Sequence, residues 1–334
     1  MEIMLVNVWA AVLAFAVFMY VLMDGFDLGV GILFPFAAND GHRDLMMNSV
    51  APVWDGNETW LVLGGGGLLA AFPLAYATLL PAMYFPVLLM LIALIFRGVA
   101  FEFRFKAHTS RRLWDVAFHG GSVAATFAQG IVLGGFIQGF ETQDGRFSGG
   151  AFDWLTAFSV FTGFALVAGY ALLGATWLVM KTEGDLQRWA RSHARRLVWL
   201  LIAAVIIVSL WTPWLDESIA ARWFSWPNLL FFSPVPVLTA LCMWQLVRAL
   251  DRGAEYQPFI YALVLFWLSY SGFIISLWPH VIPPRVTIYE AAAAPEAQLF
   301  LLIGVGFLVP AILAYTAYTY WVFRGKVRPG EGYH

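Results

Sequence analysis

The chain has 334 residues, of which 61% are hydrophobic and 12% charged, with a formal net charge of −2. Mean hydropathy is +0.74, and soluble domains are about 25% charged, so a water-soluble fold is excluded and a lipid bilayer is the solvent that fits. The near-neutral balance points away from nucleic acid, and one cysteine, Cys242, allows neither an internal disulfide nor a C-x-x-C metal site.

The N-terminus, Met1 to Leu5, has no Lys or Arg and runs straight into an apolar segment, so no cleavable signal peptide is expected. A spanning helix needs about 20 mostly apolar residues. Nine segments meet this need, at 6–33, 57–75, 79–101, 114–138, 154–180, 197–214, 228–248, 259–279 and 298–323. They predict an all-α, polytopic membrane protein in a single membrane domain, 1–334.

The first span ends in Asp24-Gly25-Phe26-Asp27-Leu28-Gly29-Val30-Gly31. Asp24 and Asp27 are three apart and share a helix face. Gly25 and Gly29 are four apart and admit a close neighbouring backbone. Together they predict an internal polar pocket; if the helix instead ends near Phe26, both aspartates sit among headgroups.

The second span follows Asn48-Ser49-Val50-Ala51-Pro52-Val53-Trp54-Asp55-Gly56-Asn57-Glu58. Asp55 with Glu58 three residues later has capping-box spacing, at the end of the helix that favours anions. That structural role is compatible with passing protons at a membrane entrance. The glycines from Gly64 to Gly67 sit in an apolar helix with no following Lys-Ser/Thr, so they signal close packing rather than a phosphate loop.

Residues 57–101 carry no charge between Glu58 and Arg97. One helix of that length would be roughly 67 Å long, about twice the apolar thickness of a bilayer, so the chain is expected to fold back in a tight hairpin near Pro73 to Pro81. Arg97 then lies near the inner end of the third span, on the side of Asp24, Asp27, Asp55 and Glu58. An arginine inside a span seeks a carboxylate, so Arg97 is expected to pair with one of the four; snorkelling to the interface is the alternative.

With nine spans and the N-terminus outside, the inner loops hold fifteen Lys and Arg and the outer loops three, Arg146, Arg222 and Arg285. This satisfies the positive-inside rule and puts the C-terminus in the cytoplasm. Trp211, Trp214, Trp223, Trp226, Trp278, Tyr320 and Trp321 cluster at span ends, as interfacial belts do. The longest polar loops lie near 141–152 and 181–196, too short to separate soluble domains.

Haem ligation in a membrane bundle needs His or Met within the core. His42, His108, His193 and His334 fall in loops or the tail, and His119 and His280 fall on opposite sides of the membrane. A bis-histidine site is therefore excluded and a single-His site at His119 is weakly supported. Met83, Met90 and Met243 read as packing. No metal site and no catalytic residue is expected in this chain.

Three segments, Asp24 to Gly31, Asn48 to Asn57, and Phe96-Arg97-Gly98-Val99-Ala100-Phe101-Glu102, resemble in order and spacing the N-terminal signature of cytochrome bd-type quinol oxidase subunit II. Gly130 to Gly139 resembles the glycine-rich fourth helix of that family. Asp55-Gly56-Asn57-Glu58-Thr59-Trp60 looks closer to its cyanide-insensitive branch. Beyond residue 140 the resemblance is one of hydrophobic spans alone.

The resemblance implies a fold of one peripheral helix, 1–35, and two four-helix bundles, 55–181 and 195–324. It implies a multi-pass protein of the bacterial inner membrane, paired with a larger subunit I that holds haems b and d and the quinol site. The complex oxidises quinol and reduces dioxygen to water with cytoplasmic protons. Subunit II stabilises subunit I and offers a polar route. Asp24, Asp27, Asp55 and Glu58 are its proton-pathway candidates, with Arg97 as charge partner and Trp54 as packing or a quinone-tail contact. Asp55 and Asp27 are the favoured carriers, and Glu58 stands where other members carry Gln. A bound quinone and a small single-helix third subunit are left open.

Two other readings compete. A proton-coupled secondary transporter predicts internal repeats and broken helices; no clear repeat is seen, and Ser233-Pro234-Val235-Pro236 is the one candidate break. A purely structural membrane scaffold predicts that Asp27→Asn and Asp55→Asn leave turnover unchanged.

Overall fold

A computed structural model describes residues 2–107, 109–143, 146–328 and 330. Helix α1 spans Glu2–Leu33, α2 Asp40–Val50, α3 Trp54–Ala71, α4 Pro73–Ala82, α5 Tyr84–Phe103, α6 Arg111–Gln138 and α7 Ala157–Lys181. The second half continues with α8 Gly184–Trp211, α9 Glu217–Phe224, α10 Asn228–Phe232, α11 Pro234–Asp251, α12 Gln257–Leu277 and α13 Pro295–Val322. Two antiparallel strand pairs, Thr142–Gln143 with Arg146–Phe147 and His280–Ile282 with Val286–Thr287, lie in connections at one end of the bundle.

Among the described residues eight helices are long and apolar enough to cross a membrane. They correspond to all the expected spans except the second. That segment forms α3, whose first turns hold Asp55, Asn57 and Glu58. It nevertheless runs antiparallel along α1: the Asn57 side chain reaches the Met23 carbonyl, and Gly67 faces Leu13 near the other end.

The fold-back is broader than a tight hairpin. Phe72 leaves the helical region, with φ −133° and ψ 64°, ahead of Pro73, as a residue before proline tends to do. Proline at the first position then starts α4, a ten-residue helix that carries the chain across to α5.

Helix α1 is not peripheral. It packs against α3, α6, α7, α12 and α13, and every residue from Asp24 to Leu33 is buried. The physical reason is its run of small residues. A Cβ on Gly29 would overlap the Tyr170 carbonyl, and one on Gly31 would overlap the Ser122 hydroxyl, so α7 and α6 meet α1 at backbone distance. The outermost long helix is α13, where only Gln298 and Thr316 are buried.

One further difference concerns a helix end. Residues 184–196, expected as a loop, are the first turns of α8: Leu186, Ala190, Ala194 and Val198 recur at helical spacing and are buried, while the charges between them face out. The glycine-rich part of α6 packs on α7, with Gly130 against Gly163 and Gly134 against Ser159 and Thr162. There Thr162 donates to the Gly130 carbonyl at 2.8 Å.

Candidate functional site: a buried arginine–carboxylate cluster

Arg97 lies on α5 with its side chain fully buried. Its Nη1 is 2.7 Å from Asp24 Oδ1 on α1 and 2.8 Å from Glu58 Oε1 on α3. Its Nη2 is 3.8 Å from Asp27 Oδ2. Three helices thus converge on one guanidinium. The backbone allows this because α6 crosses α5 closely: a Cβ on Gly121 would press on the Ala93 carbonyl and the Arg97 backbone.

Burial grades across the cluster. The side chains of Asp24 and Asp27 are 1% and 0% exposed, whereas that of Glu58 is 25% exposed. Glu58 is therefore the member that meets the surface.

Polar side chains extend the cluster on two sides. The Asn57 amide donates to Asp27 Oδ2 at 2.6 Å, and Tyr320 on α13 donates to Asn57 Oδ1 at 3.0 Å. On the other side Tyr20, one helical turn before Asp24, accepts from Gln129 on α6 at 2.7 Å. Tyr170 on α7 donates in turn to Gln129 Oε1 at 3.0 Å. An amide cannot readily surrender its N–H protons as an acid does, so Asn57 and Gln129 hold the cluster in place and close it on both flanks.

An aromatic wall seals a further side. Trp54 stacks on Phe101 with centroids 4.8 Å apart, and the Arg97 guanidinium lies 6.0 Å and 5.7 Å from the two rings. Gly98 leaves room for the Trp54 ring, which a Cβ would meet at 3.2 Å. Trp54 thus lies against Phe101 and beside the Arg97 guanidinium.

Asp55 stands apart. It is exposed and contacts none of the cluster. The expected capping box is not formed, because α3 starts two residues early, with Val53 at its N-cap and no side-chain cap. Glu58 turns inward to Arg97 instead.

Four polar residues in these networks escaped the sequence reading: Tyr20, Gln129, Tyr170 and Tyr320. The first could have been found, since Tyr20 lies one helical turn before Asp24; the others come from distant helices. A second arginine was also missed as a structural centre. Arg104 is fully buried and bridges Asp44 on α2, at 2.6 Å, and Asp115 on α6, while Arg111 also pairs with Asp44. This cluster ties α2 to the ends of α5 and α6.

Among the described residues no three His, Cys, Asp or Glu side chains converge as a metal site. His119 Nδ1 lies 3.0 Å from the Gly31 carbonyl, which ties α6 to the end of α1. His108 and His334 lie outside the described residues.

The family model described as cytochrome bd terminal oxidase subunit II matches residues 5–323. The chain is 28% identical to the cytochrome bd-I ubiquinol oxidase subunit 2 of Escherichia coli K12, over 96% of this chain and 94% of that protein. It is 26% identical to the cytochrome bd ubiquinol oxidase subunit 2 of Bacillus subtilis 168, over 97% of each. The solved bd oxidase of Geobacillus thermodenitrificans has a chain of the same fold, with a TM-score of 0.71, 19% identity and coverage of 96% and 99%.

Proposed function

The chain belongs to the cytochrome bd terminal oxidase subunit II family, and from that premise we propose that its buried cluster exchanges protons for the dioxygen chemistry of the complex. The partner is a haem-bearing subunit I. It supplies the electron transfer, with haems b and d taking electrons from quinol and passing them to dioxygen. This chain stabilises that partner and carries a proton path from the cytoplasm.

The observation that carries this reading is the graded exposure of three carboxylates around one guanidinium. One positive charge cannot balance three negative ones in a site shut off from water. Two protons shared among Asp24, Asp27 and Glu58 bring the cluster to neutrality, and three acceptors within reach of Arg97 let them move between sites. Glu58 is the opening to the surface, and Asp55, one turn earlier on α3, is the collector outside it. Because Asn57 and Gln129 close the flanks, protons enter and leave on the Glu58 side.

The topology follows from the charges. With α3 counted as the ninth span, the N-terminus lies outside and the fifteen inner cations, with the C-terminus, lie in the cytoplasm of a bacterial inner membrane. Glu58 then opens toward the side from which protons are drawn.

Purification through a tag on this chain tests the reading. A haem-bearing partner should co-purify, and its reduced-minus-oxidised spectrum should vanish when this chain is expressed alone. A colourless homo-oligomer would overturn it.

A further inference from the structure

At the end of the bundle that carries the inner cations lies a cavity of about 480 Å³. Among the described residues its wall includes Lys181, Arg324 and Lys326, the rings of Trp177, Tyr256 and Tyr320, and no carboxylate. Part of that wall is a strap, the backbone after α13. The Val327 amide donates to the Lys181 carbonyl at 2.8 Å, and Lys181 Nζ donates to the carbonyls of Phe323 and Gly325 at 2.6 Å each.

Lys181 is the unusual member. It is 8% exposed, yet among the described residues it forms no ion pair; its partners are two carbonyls and the face of Trp177, 5.4 Å from Nζ. An ammonium has three donors, so one remains for the cavity. A buried charge without a counterion is costly. Its neighbour Lys326 has Glu255 at 2.8 Å, but that carboxylate does not line the cavity. The cavity therefore concentrates positive charge beside an aromatic surface, which suits an anion with an apolar portion.

We propose that this cavity binds a phosphate-bearing anion, with Lys181 as its central contact and Arg324 and Lys326 at the rim. Charge-assisted contacts to phosphate oxygens supply the missing negative charge, and Trp177 and Tyr256 face the rest of the molecule. The chemistry fits an anionic phospholipid headgroup or a soluble phosphate compound. The cavity lies beyond the carboxylate cluster and shares with its network one residue, Tyr320, through the bond to Asn57.

The test uses the purified complex in nanodiscs of phosphatidylcholine, with and without phosphatidylglycerol, and with inorganic phosphate added to the phosphatidylcholine discs. The readouts are bound phospholipid by native mass spectrometry and hydrogen exchange at the Val327 amide. Phosphatidylglycerol alone slowing exchange assigns a lipid; inorganic phosphate doing so as well assigns a soluble anion. Lys181→Gln should weaken the effect about 10- to 100-fold, the loss of one hydrogen bond to a charged group. If that variant does not assemble, Arg324→Gln with Lys326→Gln gives the same comparison from the rim. The proposal is overturned if neither anion changes Val327 exchange, or if the variants bind phosphatidylglycerol as the wild type does.

Discussion

Arg97 Nη1 and Asp24 Oδ1 are 2.7 Å apart, and neither side chain is more than 1% exposed. They join α5 to α1 at a point where no solvent can replace either partner. Removing Asp24 leaves Arg97 with Glu58 at 2.8 Å, so what is lost is one buried hydrogen bond between charged groups, about 1.5–3 kcal/mol. Asp24→Asn is therefore expected to lower the thermal stability of the complex and its yield sharply. Asp27→Asn should be milder, since Asp27 is 3.8 Å from the guanidinium and an asparagine keeps an oxygen for the Asn57 amide. Thermal unfolding followed by haem absorbance would separate them; equal losses would show that the nearer contact has no special weight.

The α1–α7 contact rests on glycine in the same way. A Cβ on Gly29 would overlap the Tyr170 carbonyl, and one on Gly174 would press on the backbone of Gly29. Both obstacles are backbone, which cannot rotate aside. Overpacked substitutions cost about 1–3 kcal/mol and sometimes more, and Gly29→Ala is expected at or above the upper end. Gly120→Ala is the control. It lies inside α6 with nothing within 4 Å of the added carbon, and helix propensity predicts a gain of up to about 1 kcal/mol. Thermal unfolding of the two variants side by side checks the sign as well as the size.

Much of this was legible in the sequence because lipid imposes a simple grammar. Long apolar runs gave the helices, and charges within them gave Asp24, Asp27, Glu58 and Arg97. The Gly25–Gly29 spacing gave the close approach to α1, although the partner, α7, could not be named. Three things were not legible. The central place of α1 depends on which helices pack together, and an apolar face reads alike against lipid and protein. The inward turn of Glu58 depends on where α3 begins: its start at Trp54, two residues before the expected capping box would place it, leaves Asp55 exposed and Glu58 against Arg97. Tyr170, Gln129 and Tyr320 join the network from helices far apart in the chain, and no local pattern marks them.

Glu58 and Asp55 differ in what they touch, and that difference predicts their kinetics. Glu58 bonds Arg97 and is the partly exposed member of the cluster; Asp55 is exposed and solvated. Glu58→Gln keeps the shape, and its oxygen can still accept from Arg97, but it cannot carry a proton. It is expected to lower quinol-driven oxygen consumption by about 100-fold or more, the lower end of what a lost proton-transfer group costs, with the haem spectrum unchanged. Asp55→Asn should cost no more than a few-fold, through a lower local proton supply. Turnover and proton uptake on intact complexes decide the matter, and a silent Glu58→Gln would remove Glu58 from the path.

The strap after α13 should respond to acid through Glu255. This residue lies in the connection between α11 and α12, and its hydrogen bond to Lys326 holds its carboxyl below the usual glutamate range. Lowered affinity for protons in the folded state means that the pair stabilises the fold above the unfolded value, about pH 4.3. That contribution is lost as pH falls through the depressed folded value. Glu255 is 40% exposed in its side chain, so solvent screens the pair and its worth is about 0.2–1 kcal/mol. Loosening should therefore be local. Hydrogen exchange at the Val327 amide, which bonds the Lys181 carbonyl, is expected to gain a step of two- to fivefold as pH drops below about 4, beyond the intrinsic pH dependence of exchange. Glu255→Gln should exchange at the faster level at neutral pH and lose the acid step. The same exchange profile in wild type and variant would mean that the strap is held by Lys181 and its carbonyl partners alone.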